Sequence, residues 1–121
     1  MPVKKILVVD DSPTERHVLI EMLSRHGYVA VAAESGEAAI VLAKKEMPDL
    51  ILMDVVMPGM NGYQATRTIT REDATRHIPV IMCTSKNQET DRIWGMRQGA
   101  HDYMVKPIDH AALLAKIRAF P

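Results

Sequence analysis

Aromatic residues are scarce in this chain: one tryptophan, one phenylalanine and three tyrosines make up 4% of 121 residues. Cysteine is scarcer still. The single Cys83 lies inside an apolar run, which excludes an intrachain disulfide and reads as a buried free thiol of a reducing, cytoplasmic compartment. Charge of one sign is also missing: Lys+Arg and Asp+Glu both number 15, so the formal charge is zero with His neutral. A chain without a basic excess has no electrostatic footprint for nucleic acid, and nothing here suits a membrane surface. No apolar stretch approaches the roughly 20 residues of a transmembrane helix. The apolar run after Met1-Pro2-Val3-Lys4-Lys5 is too short for a signal-peptide core. No linker, repeat or low-complexity segment interrupts the pattern. One domain over residues 1–121, with no effector domain, is the expectation.

What is present is a strict alternation of strand-like and helix-like segments. Apolar or β-branched runs at 6–9, 28–32, 50–53, 78–83 and 103–105 predict five strands. Ser12-Pro13-Thr14-Glu15 opens the first helix, with Ser12 capping, Pro13 in the first turn and Glu15 closing a capping box. Val18, Leu19, Met22 and Leu23 come next at helical spacing as its inner face, and Gly27 ends it. Further helices are expected after Gly36, from about Tyr63, over roughly 88–98 and over 109–120. Residues 50–53 are apolar throughout, as in a strand covered on both faces. Such alternation demands an α/β fold: a doubly wound, five-stranded parallel sheet with helices on both faces and right-handed crossovers.

The polar residues at the carboxyl ends of these runs carry the chemistry. Asp10-Asp11, Asp54, Thr84 and Lys106 each sit at the end of a predicted strand. In an open parallel sheet those ends form one rim, where ligands bind. Residues almost a hundred positions apart therefore converge on carboxylates, a hydroxyl and an ammonium. That set suits a divalent cation with oxygen ligands and a phosphoryl group. The five histidines show no metal-ligand spacing, and the first strand-to-helix turn has neither a dinucleotide nor a P-loop glycine pattern. Most of the nine methionines are expected to fill the core, and Trp94, in the fourth helix, is expected to pack rather than to recognise.

Asp10-Asp11-Ser12, Met53-Asp54-Val55-Val56-Met57-Pro58-Gly59, Thr84-Ser85 and Lys106-Pro107, in this order across the whole chain, resemble the signature of two-component response-regulator receiver domains. The segments 11–15, 62–67 and 88–95 further resemble regulators of twitching motility driven by type IV pili. The resemblance implies a flavodoxin-like (CheY-like) sheet of order 2-1-3-4-5. It implies that Asp54 accepts a phosphoryl group from a histidine kinase, and that Lys106 contacts the phosphoryl oxygens. Mg²⁺ would be held by Asp11 and Asp54 directly, by the Val56 carbonyl, and by Asp10 mainly through water. Thr84 and Tyr103 would form the switch, the hydroxyl moving to the phosphoryl group and the ring turning inward. Side chains at Val56 and Lys86 would tune the lifetime of the phosphorylated state, and the Lys106–Pro107 bond would be cis. The output would be contact with a downstream motility or signalling protein, or a phosphate sink. A monomer fits, as does a dimer formed on phosphorylation. The competing expectation is a Mg²⁺-dependent phosphohydrolase working through an aspartyl-phosphate.

Overall fold

A computed structural model describes residues 2–121. Its elements run β1 (Lys5–Val9), α1 (Pro13–Arg25), β2 (Val29–Ala33), α2 (Gly36–Glu46), β3 (Leu50–Met53), α3 (Gly62–Arg71), β4 (Val80–Thr84), α4 (Glu89–Arg97), β5 (Asp102–Val105) and α5 (His110–Arg118). The strands form one sheet of order β2-β1-β3-β4-β5, parallel throughout. The expected topology is the observed one.

Alternation along each strand divides the core. Ile6, Val8, Leu50, Leu52, Ile81 and Cys83 face one side, where they meet Leu19 and Leu23 of α1 and Leu113 and Ile117 of α5. Leu7, Val9, Ile51, Met53 and Val80 face the other and meet Ala39, Ala43, Ala65 and Ile69 of α2 and α3. This is the two-residue period of a pleated strand. A smaller cluster of Val55, Tyr63, Met82, Ala100 and Tyr103 lies beside α4. Among the described residues, no helix is long and apolar enough to cross a membrane.

The structure moves several expected features by a residue or two. β2 starts at Val29 because Tyr28 N–H still bonds to Leu23 O, closing the left-handed exit of α1 at Gly27 (φ 87°). β4 starts at Val80, since Ile78 N–H is spent on Thr75 O. Val18 does not face inward: it is 47% exposed, and Ile20 packs against the core instead. Trp94, expected to pack, is 48% exposed.

The capping box expected at α1 is only half formed. Ser12 Oγ accepts from Glu15 N–H at 3.3 Å, but the Ser12 N–H donates to Asp10 Oδ1 at 2.9 Å rather than to Glu15. Asp10 captures that N–H from two residues away, and the Glu15 side chain is left for another partner.

Candidate functional site

Register builds the site. Val9 lies opposite Met53, so the next residues, Asp10 and Asp54, emerge side by side at the carboxyl rim. Thr84 lies opposite Val105, which brings Lys106 to the same rim. The ladder runs one step further than the strands: Asp54 N–H bonds to Val9 O at 2.9 Å, Asp10 N–H to Ala33 O at 3.1 Å, and Lys106 N–H to Thr84 O at 2.8 Å. These bonds fix the backbone at all three charged positions. Arg16 adds a brace by donating to the Asp10 carbonyl at 2.7 Å.

Carboxylate oxygens of Asp10, Asp11 and Asp54 lie within 4.8 Å of one another. Asp10 and Asp54 are buried, at 2% and 6% exposure, and Asp11 is exposed. Asp54 Oδ1 accepts the Val55 N–H at 2.8 Å, while its Oδ2 stands 3.4 Å from Lys106 Nζ. The ammonium also reaches Asp10 Oδ2 at 3.0 Å and Glu15 Oε1 at 2.9 Å. Burial, with the Asp10 charge in support and Lys106 opposing, raises the Asp54 carboxyl above its ordinary value. Burial alone would lower the Lys106 ammonium, but its hydrogen bonds to Glu15 and Asp10 and the Asp54 charge raise it.

Three acidic groups with one short-range ammonium leave negative charge in excess. A hard dication taking oxygen ligands and keeping several waters fits that deficit. Gly62 lets the start of α3 approach the backbone at Asp54 and Val55: a Cβ there would stand 2.0 Å from the Asp54 carbonyl oxygen. Only glycine permits that approach.

The family model for the response regulator receiver domain matches residues 6–118. The chain belongs to the response-regulator receiver family. It is 54% identical over 115 residues to Protein PilH of Pseudomonas aeruginosa, covering 95% of each chain. It is 40% identical to Response regulator PleD of Caulobacter vibrioides, of which it spans 25%. Among solved structures, Vibrio cholerae chemotaxis protein CheY4 superposes with a TM-score of 0.89 at 30% identity, covering 95% of this chain and 96% of that one. The receiver domain of the sensor histidine kinase PA1611 from P. aeruginosa, with a magnesium ion coordinated in its active-site cleft, gives 0.87 at 33% identity and covers 95% and 94%. The phosphohydrolase alternative finds no support in these relationships. A cavity of about 600 Å³ lies at the opposite rim among Arg71, Arg76, Arg97, His77 and His101, and shares no residue with the carboxylates. The recess beside the receiver site is smaller, about 230 Å³.

The remaining residues of the receiver site fall into two groups. Thr84 is fully buried, and its Oγ1 accepts the Lys86 N–H at 3.3 Å. Tyr103 is 8% exposed, with its hydroxyl donating to Lys86 O at 2.9 Å, so the ring already lies inward in this state. Burial, aided by Tyr63, raises its phenol above the ordinary value. The Lys86 ammonium pairs with Asp91 near the start of α4, 3.8 Å away. The Val56 side chain is exposed. The Lys106–Pro107 bond is cis, as expected.

Two contributors escaped the sequence. Glu15 reads as a local cap, and only the fold reveals its pairing with Lys106. Gly95 in α4 reads as a weak helix residue, yet a Cβ there would meet Met82 Sδ at 2.8 Å and the Tyr103 ring at 3.1 Å. A glycine inside a helix pattern was the one signal that a close approach was needed.

Proposed function

We propose that this receiver accepts a phosphoryl group from a histidine kinase onto Asp54 and signals through phosphorylation-dependent protein contact. One observation carries the reading: Asp54 is buried beside a second buried carboxylate and stands 3.4 Å from an ammonium. An aspartate needs no base to become a nucleophile at neutral pH. Its oxygen attacks the phosphorus, the bond to the donor's imidazole nitrogen breaks, and that nitrogen leaves with the bonding pair.

Asp11, Asp54, the Val56 carbonyl and, through water, Asp10 are the residues that would hold Mg²⁺. When bound, the cation supplies positive charge to the phosphoryl oxygens in flight. Lys106 supplies the second positive charge, turning from carboxylates to phosphoryl oxygen. Thr84 donates its hydroxyl to the same group, and Tyr103, seated behind it, carries the change to the surface of α4. Val56 offers the attacking water no hydrogen bond, which lengthens the phosphorylated state; any contribution of Lys86 requires it to leave Asp91. Activity is limited to self-phosphorylation and self-dephosphorylation, in the cytoplasm, by a monomer at rest.

Similarity to PilH favours a role in type IV pilus or chemotaxis-like motility control, by contact with a motility or signalling protein or by draining phosphate from a shared kinase. The test is intact mass after incubation with Mg²⁺ and acetyl phosphate. One added phosphoryl group in the wild type and none in Asp54→Ala is the expected result. No addition to folded wild-type protein would contradict it.

A further inference from the structure

We infer that Glu15 is a positioning residue for Lys106, holding its ammonium at rest and competing with the phosphoryl group for it. Glu15 thereby sets the rate at which Asp54 is phosphorylated. This inference rests on the role proposed for Asp54.

An ammonium has three donors. Lys106 Nζ stands 2.9 Å from Glu15 Oε1, 3.0 Å from Asp10 Oδ2 and 3.4 Å from Asp54 Oδ2, and it donates hydrogen bonds to the two aspartates. Three carboxylates crowd this ammonium, so an incoming phosphoryl oxygen competes with them for it. One contact has to be released, and burial decides which. The Asp10 and Asp54 side chains are 2% and 7% exposed, and stripping a buried carboxylate of its cation is costly. The Glu15 side chain is 50% exposed and regains water as it lets go. The recess of about 230 Å³ bounded by Glu15, Thr14, Lys106 and Pro107 gives both side chains room to part.

Glu15 is also uncommitted elsewhere. The capping contact that would have occupied it belongs to Asp10, and among the described residues Lys106 is its only ionic side-chain partner. Its backbone N–H donates to Ser12 Oγ whatever the side chain is, so changing the side chain leaves that bond in place.

The experiment compares phosphorylation rates with acetyl phosphate and Mg²⁺ for the wild type, Glu15→Gln and Glu15→Ala, each also in a Lys106→Ala background. Release of an exposed ion pair predicts a rate about two- to fivefold higher for both Glu15 variants. In the Lys106→Ala background the same changes should have no effect, because there is no ammonium to free. An unchanged rate in the first background overturns the inference. An equal rise in both backgrounds also overturns it, since Glu15 would then act by simple repulsion of the anionic donor. A second readout needs no phosphorylation: exchange of the Lys106 ammonium protons with water, measured by nitrogen NMR, should quicken in Glu15→Gln. Unchanged exchange contradicts the pairing. Failure of the wild type to take phosphate, with quickened exchange in the variant, would instead fault the role of Asp54 alone.

Discussion

Asp49 and Asp54 bracket a single strand, β3, and the fold treats them in opposite ways. Asp49, at the amino end, accepts the N–H groups of Lys4 and Lys5 at 3.0 and 2.9 Å. The Lys5 bond is the main cause holding its carboxyl below the ordinary value, against a partial burial penalty. Asp54, at the carboxyl end, is buried beside a second carboxylate, and its carboxyl is raised. Asp102, at the amino end of β5, resembles Asp49: burial works upward, but the Lys116 ammonium and the Tyr103 N–H outweigh it and lower the carboxyl. Acids at the amino rim therefore stabilise the fold, whereas the acid at the carboxyl rim is held at a cost. Stability is given up where a cation and a phosphoryl group are to be received.

Substituting Asp54 should break this contrast most completely. Asp54→Asn should abolish phosphoryl incorporation, read by intact mass, while the metal-free protein gains about 1 kcal/mol in urea unfolding because a buried, crowded charge is gone. A metal-free variant less stable than wild type would reverse the argument. Next in size is Gly95→Ala, which forces a methyl group against Met82 and the Tyr103 ring. Overpacking of this kind costs about 1–3 kcal/mol and should displace the ring, altering partner response more than phosphorylation. Its measure is thermal unfolding alongside the rate of phosphate uptake.

Asp49→Ala sharpens the comparison from the other end. Two backbone donors lose their acceptor at a partly exposed site, so a loss of about 1–2 kcal/mol is expected with phosphate uptake unchanged. The smallest effect lies in pH dependence. Asp54 binds its proton more tightly folded than unfolded, so the stability it lends when protonated is lost as pH rises through its raised value. Asp49 and Asp102 behave oppositely: their stability is present above the unfolded carboxylate value of about 3.9 and fades as pH falls through their lowered values. Unfolding curves should therefore lose their decline above roughly pH 4 in Asp54→Asn, and lose part of their acid sensitivity in Asp49→Ala. Parallel curves for the two variants would erase the distinction.

Much of this arrangement was legible in the sequence because it depends on periodicity and on the residue that ends each strand. The apolar run Leu50–Met53 identifies a central strand, and Asp54 directly after it can only emerge at the carboxyl rim. Lys106 and Thr84 are placed by the same logic. Side chains with a choice of partner were not legible. Glu15 sits at the right distance from Ser12 for a capping box, but Asp10 takes that N–H and frees Glu15 for a lysine far along the chain. The pairing of Lys86 with Asp91 could not be read from the sequence either. Val18 and Trp94 share the lesson: helical spacing locates a face, and which face is covered depends on where neighbouring helices settle.

Carboxyl-carbon NMR of the metal-free protein, tracking Asp49 and Asp54 through one acid titration, compares the two ends of β3 directly. Asp54 should titrate above the ordinary carboxylate value and Asp49 below it. An Asp54 midpoint at or below that of Asp49 would mean that the carboxyl rim holds no excess of buried negative charge.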